Sequence, residues 1–484
     1  MENLQNTYSE LPKDFHRSTK PTPVSKPKIL SMNYELANEL SIDTSNEIQL
    51  LEYFSGNTIP KDARAIAMTY AGHQFGNFVP QLGDGRAILI GEIYDNSGKL
   101  NDIQLKGSGV TAFSRKGDGR SAIGPVIREY IMSEAMHAMN IPTTRALAAI
   151  STGENVFRET ALKGGILTRV SNSLIRVGTF EFFRARQDID NLRVLADFSI
   201  KRLYPDIADQ KNKYLLLFDA IAKNQSILIS KWMSIGFIHG VMNTDNFSIS
   251  GETIDYGPCA FMEAYDPDTV FSSIDRHGRY KYSNQPKIGL WNLSCLAGCL
   301  LPIIDGSGEE KEEIIRSSLE NFSKDLNSRI NIEMTKKIGL GETKESNELT
   351  KNLLSIMHKN GADFTLTFRS LSSAINENDD KFLQYFGNDE EAKDWLKKWK
   401  ELIQKENENT DDLIEILNSI NPIYIPRNHM IERAIKEYQE EGAHKIMDEM
   451  LEVTANPYHD QENKKDYAVP AKEDERVTQT FCGT

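Results

Sequence analysis

Cysteine is scarce: four in 484 residues, Cys259, Cys295, Cys299 and Cys482. A chain of this size with so few is no disulfide scaffold and suits a reducing compartment, so a cytoplasmic protein is expected. Long apolar runs are missing too. The longest, Ile288 to Ile304, is broken by Asn292, Ser294 and Pro302 and falls short of the roughly 20 clean residues a membrane span needs, so it reads as a buried helix. The opening MENLQNTYSELPKDFHRSTKPTPVSKPK has no apolar h-region, and neither a secretory nor a transit peptide is expected from it. Basic residues are outnumbered, 56 against 70 acids for a net charge of -14. That balance argues against nucleic acid and anionic membrane as partners, because phosphate contacts need a basic face. A complete GxGxxG fingerprint is absent as well.

What remains is a globular composition, 39% hydrophobic and 26% charged, in a chain long enough for two or three cores and taken to act as a monomer. Its organising stretch runs from His239 to Cys259, HGVMNTDNFSISGETIDYGPC. Asp245, Asn246 and Asp255 stand about one strand and turn apart, as in a kinase-like catalytic loop followed by a metal-binding Asp-Phe-Gly. Short oxygen-bearing side chains on converging loops are hard ligands suited to a divalent cation on a nucleotide phosphate.

Upstream, residues 1–60 read as a polar, mostly irregular lead-in with helical patterns at 34–40 and 47–54. Gly83-Asp84-Gly85-Arg86 is a glycine turn opening a strand over 86–94; it is either an ordinary hairpin turn or a place where backbone N–H groups approach phosphate. Lys106 ends the next strand, where a kinase carries its phosphate-binding lysine. A helix begins near Pro125, and its Glu129 is either the partner of Lys106 or one more solvated acid. Arg169 and Arg176 punctuate an apolar, β-rich segment over 165–183. Buried there, they need anionic partners, either phosphate or a carboxylate such as Glu181 or Asp188. Residues 190–238 are helical by pattern, 258–287 is turn-rich like an activation or substrate loop, and 309–450 is mostly charged, amphipathic helix.

The order of these pieces predicts an α+β protein with a two-lobed protein-kinase-like fold and a helical C-terminal extension. The expected divisions are a lead-in (1–60), a small sheet-rich nucleotide-binding lobe (61–150), a lobe with the catalytic and metal loops (151–305), a helical extension (306–460) and a mobile tail (461–484). One departure bears on the chemistry. Two residues after His239, where a kinase holds its catalytic base, stands Val241, which can neither take a proton nor bind a metal.

The blocks YAGHQFG with LGDGR, IQLKG, SRKGDGR, REYIMSEAMH, IPTTRAL, LTRVSNSLIRVGTFE, HGVMNTDN, IDYGPCAF and NPIYIPRNH resemble the selenoprotein O family of pseudokinases, whose bacterial members include the YdiU proteins. The resemblance runs from about Tyr70 to the C-terminus. It implies a protein adenylyltransferase that moves AMP from ATP to Ser, Thr or Tyr hydroxyls of protein acceptors, with ATP reversed relative to a kinase and UTP open as a second donor. Carried over by position, it implies nucleotide contacts from Gly83, Gly85, Arg86, Lys106, Asp118, Gly119, Arg169, Arg176 and Asp255. Asn246 and Asp255 would hold Mg²⁺ or Mn²⁺, and Asp245 would accept the proton. The rival readings are a kinase transferring the γ-phosphate and a catalytically inactive ATP-binding pseudokinase. Family relatives often carry selenocysteine or cysteine near the chain end, where Cys482 stands. With only Pro258 between Cys259 and Asp-Tyr-Gly, a redox latch between these two sulfurs is expected, two unrelated thiols being the plain alternative.

Overall fold

The computed structural model describes residues 3–376, 378–406 and 410–480. The chain is a mixed α/β protein in which an antiparallel sheet adjoins a larger helical body. The sheet strands in chain order are β1 (His16–Ser18), β2 (Lys28–Met32) and β3 (Ile66–Met68), then, after a separate hairpin of β4 (Gly72–Gln74) and β5 (Asn77–Val79), β6 (Ala87–Tyr94), β7 (Leu100–Lys106), β8 (Ser121–Ala122), β9 (Arg145–Phe157) and β10 (Ala161–Ser171). Their order across the sheet is β1-β3-β6-β7-β10-β9-β2, with β8 beside β10.

Side-chain alternation divides the sheet's two faces. Ile88, Ile90, Ile103, Leu105, Leu147, Ile150 and Ile166 pack with Leu36, Ala37, Leu50 and Phe54 in one core. Those last four residues come from α1 (Tyr34–Glu39) and α2 (Glu47–Phe54). Leu89, Ala149 and Leu167 face the other way, into a core shared with α3 (Ile123–Ala138) and continuous with the helical body. That body includes α4 (Val177–Ala185), α5 (Ile189–Leu203), α6 (Lys213–Ser234), α7 (Gln285–Leu300) and α8 (Gly308–Lys337), then helices from Lys344 to Ala455. Between α6 and α7 a small two-stranded ribbon, β11 (Phe237–Ile238) with β12 (Ala260–Phe261), brackets the His239 to Cys259 stretch.

Four local expectations are corrected. Residues 1–60 carry the two expected helices but are more than a lead-in: β1 pairs with β3 and β2 with β9, so the segment supplies both outer strands of the sheet. Such short strands leave little period-two signal to read. Residue 150 falls inside β9, and the sheet runs on to Ser171, so a boundary at 150 would cut a strand. The β-rich segment ends at Ser171, and Val177–Ala185 is helix despite its aromatic run. Complete burial of Val177, Phe180 and Phe183 outweighs their weak helix propensity. The stretch from 461, expected to be mobile, is tied down as far as Thr480: Arg427 Nε donates to the Ala468 carbonyl, and the Thr480 N–H donates to the Phe271 carbonyl.

Candidate active site

Lys106 ends β7, directly opposite Leu167 of β10, and its ammonium lies 2.6 Å from Glu129 and 2.8 Å from Asp255. Glu129 is buried on the second turn of α3 and is therefore the partner of Lys106 rather than a solvated acid. Arg169 comes from β10 two positions beyond Leu167, so its side chain reaches the same face. Its guanidinium lies 2.5 Å from both Glu129 and Asp255, and it also donates to Gln104 Oε1 at 3.3 Å. Arg176, the residue just before α4, closes the group 3.8 Å from Asp84 and 3.8 Å from Asp255, with its guanidinium 4.4 Å from the centre of the Tyr70 ring. Neither arginine pairs with Glu181 or Asp188.

Three cations thus surround Asp255. Burial works against its carboxylate, but Arg169, Lys106 and Arg176 outweigh that and hold it well below the ordinary range. Asp255 has φ +62°, a left-handed conformation that costs a non-glycine residue energy and is kept only where the surroundings impose it. His239 ties the two loops together, its Nε2 standing 2.9 Å from the Ile254 carbonyl.

Asp245 and Asn246 share a single 3₁₀ turn, Thr244–Asn246. Burial pushes the Asp245 carboxyl up to about 6, the direction a proton acceptor working near neutrality needs. Its Oδ2 accepts from Gln74 at 3.3 Å, while Oδ1 is buried without a hydrogen-bond partner. The Nε of Arg176 is similarly orphaned. The positive charge of Arg176 acts on the Asp245 carboxylate, and a buried donor without a partner, such as the Arg176 Nε, is uncommon in a folded chain. Asn246 turns its amide nitrogen to the Val241 carbonyl at 3.1 Å, which leaves its oxygen for a hard cation. With the Asp255 carboxylate this donor set fits a divalent metal of the magnesium class.

The glycine turn leads into β6 beside this cluster. Gly83 has φ +97°, and a Cβ there would stand 2.5 Å from the Phe113 ring, so only glycine fits. Gly85 and Arg86 follow, the Arg86 carbonyl accepting from the Gly107 N–H just past Lys106. Asp118 and Gly119 lie on a more exposed loop, where Asp118 pairs with Arg158 at 2.9 Å and caps the Arg120 N–H. That loop meets the strand end through the Gly119 carbonyl and the Gly109 N–H. Cys259 is fully buried, and Cys482 lies outside the described residues.

Sequence reasoning missed several neighbours. Asp84 is buried, accepts from the Met68 N–H and Gln104 at 3.1 Å each, and faces Arg176; inside the glycine turn, no spacing marks it apart from a turn acid. Tyr70, His73 and Gln74 lie in a block valued only as a family mark. Glu181, weighed as an arginine partner, instead meets His73 Nδ1 at 2.5 Å and accepts from the Thr244 hydroxyl at 2.5 Å. Ligand atoms of His73, Glu181 and Cys295 lie within 4.8 Å of one another. The short nitrogen–oxygen contact is nevertheless hydrogen-bond spacing; two ligands of one ion, each about 2.0–2.2 Å from it, would stand farther apart. Burial, with Glu181 beside it, also pushes the Cys295 thiol up to about 12.

A family model described as "Protein adenylyltransferase SelO" matches residues 2–455. Among curated relatives, the "Protein nucleotidyltransferase YdiU" of Rhizobium rhizogenes is 50% identical over 489 residues, covering 99% of this chain and 97% of the relative. Its namesake in Maridesulfovibrio salexigens is 48% identical over 482 residues, covering 99% and 98%. The one in Bradyrhizobium diazoefficiens is 50% identical over 490 residues, covering 99% of both.

Proposed function

The chain belongs to the SelO protein adenylyltransferase family, and from that premise we propose that it transfers AMP from ATP to Ser, Thr or Tyr hydroxyls of proteins and releases pyrophosphate. The observation that carries the site assignment is the cluster of Lys106, Arg169 and Arg176 around Asp255. Three fixed cations suit the triphosphate end of a nucleotide and a pyrophosphate leaving group, because preorganised charge acts most strongly where water is excluded.

In this reading Lys106, Arg169 and Arg176 bind phosphate oxygens, while Gly83, Gly85 and Arg86 line the nucleotide from the strand-opening turn and Asp118 with Gly119 closes over it from the neighbouring loop. Asp255 and Asn246 would hold Mg²⁺ or Mn²⁺, which when bound neutralises phosphate charge. Asp245 accepts the proton of the attacking hydroxyl, taking the part that Val241 cannot play. Positioning and charge supply most of such a rate. We further propose that the sheet and the helical body are the two lobes of a kinase-like fold, the sheet lobe ending near Ser171, in a monomeric cytoplasmic enzyme. Lys106 on β7, Glu129 on α3 and Asp255 after β11 support it by their mutual contacts.

The test is the mass of a protein acceptor incubated with ATP and Mg²⁺ or Mn²⁺. The wild-type chain should add an adenylate, and a folded Asp255→Ala variant should add nothing. Undiminished adenylate transfer by Asp255→Ala would show that the site is misplaced.

A further inference from the structure

The β4–β5 hairpin pairs with no other strand among the described residues, and its free edge is satisfied in an unusual way. Residues 72 and 74 pair across the hairpin with Val79 and Asn77. Along a strand the N–H groups of alternate residues point to the same side, so those of 71, 73 and 75 face outward together. Here the Ala71 N–H donates to the Gly178 carbonyl at 2.9 Å, the His73 N–H to Thr244 Oγ1 at 2.6 Å and the Phe75 N–H to Asn243 Oδ1 at 3.0 Å. The 243–246 loop thus offers side-chain acceptors in place of a neighbouring strand.

Thr244 is the centre of this contact. Its hydroxyl accepts from the His73 backbone and donates to Glu181 Oε2 at 2.5 Å, while Glu181 Oε1 stands 2.5 Å from the His73 ring. The three residues close a ring of hydrogen bonds around one hydroxyl, and Glu181 and Thr244 are buried. Asn243 is held from both sides, its Oδ1 also accepting from the Tyr280 hydroxyl at 2.5 Å. Next along the loop, Asp245 presses on the hairpin itself: a Cβ on Gly72 would stand 2.6 Å from Asp245 Oδ1, so a side chain there would displace the carboxylate.

We propose that the hairpin of residues 72–79 is the positioning element for Asp245, with the Thr244 hydroxyl as its anchor and His73 and Glu181 as the groups that fix that hydroxyl. This rests on the reading of Asp245 as proton acceptor. Thr244 touches no reacting atom in this scheme; it acts by holding the aspartate next to it in register.

Three variants of the full chain test it with α-labelled ATP and Mg²⁺, reading label incorporated into the chain itself and into added casein. Thr244→Val and Thr244→Ala lose the hydroxyl and should lower kcat by about ten- to a hundredfold, the cost of a small misplacement, with KM for ATP within about twofold of wild type. Thr244→Ser restores the hydroxyl and should recover most of the rate. A kcat near wild type in the Val and Ala variants would overturn the proposal. So would an equal loss in Thr244→Ser, a loss expressed in KM for ATP, or melting curves showing that both hydroxyl-free variants no longer fold. If wild type itself transferred no α-label, the adenylyltransferase reading would fall instead, a failure distinguishable from that of the anchor.

Discussion

Arg176 lies 3.8 Å from both Asp84 and Asp255, carries a buried Nε with no partner, and rests on the Tyr70 ring. A guanidinium held that loosely by its carboxylates retains donors for phosphate. Arg176→Ala is therefore expected to weaken ATP binding by on the order of 1.5–3 kcal/mol, roughly ten- to a hundredfold, in a calorimetric titration with ATP and Mg²⁺. Unchanged affinity with a lowered melting temperature would instead make Arg176 a spacer between two acids. At this scale much was legible: Lys106, Glu129, Arg169, Arg176 and Asp255 were all singled out by spacing or by the cost of burying a charge, and they meet. Asp84 and Gln74 were not separable from ordinary acids and amides, and Glu181 was read as an arginine partner when it meets His73 and Thr244. Their place depends on pairings far along the chain, such as Gln74 with Asp245.

Among the elements, α8 ends on a costly residue. Lys337 is 3% exposed, with its ammonium 4.6 Å from the Phe368 ring centre and 5.6 Å from that of Phe364. Burial lowers its pKa to about 7, Glu333 opposing only in part, so desolvation outweighs what the two rings return. Between about 7 and the ordinary value of 10.5 the unfolded chain binds the proton and the folded chain does not. Stability therefore rises with pH across that window, and the penalty is fully present below it. Lys337→Met should raise stability at pH 7 by on the order of 1–3 kcal/mol and flatten that rise, as read from denaturant unfolding at several pH values. An unaltered pH slope would show that Lys337 keeps its proton in the fold. The long helices and the central strands were readable from periodicity, whereas β1 and β2 were too short to show one. Helix α4 carries an aromatic run that only its burial explains.

For the molecule as a whole, the helical extension braces the site rather than standing apart from it. Arg128, one residue before Glu129, donates to Asn428 at 2.9 Å and pairs with Glu432 at 2.5 Å. Both partners lie on the helix Asn428–Glu441, and Asn428 falls in the block NPIYIPRNH. Sequence patterning showed that such helices exist, but their destination is set by contacts some 300 positions away along the chain. Under the kinase-like reading proposed above, Val241 takes the position of a kinase's base, and Lys106, Arg169 and Arg176 gather around Asp255, so the account expects the γ end to be enclosed and the attack to fall on the α-phosphorus. The most direct measurement is parallel incubation of the chain and a protein acceptor with α-labelled and with γ-labelled ATP. Label should reach protein from the α position alone, with pyrophosphate released, whereas comparable labelling from the γ position would make the chain a kinase and contradict the account.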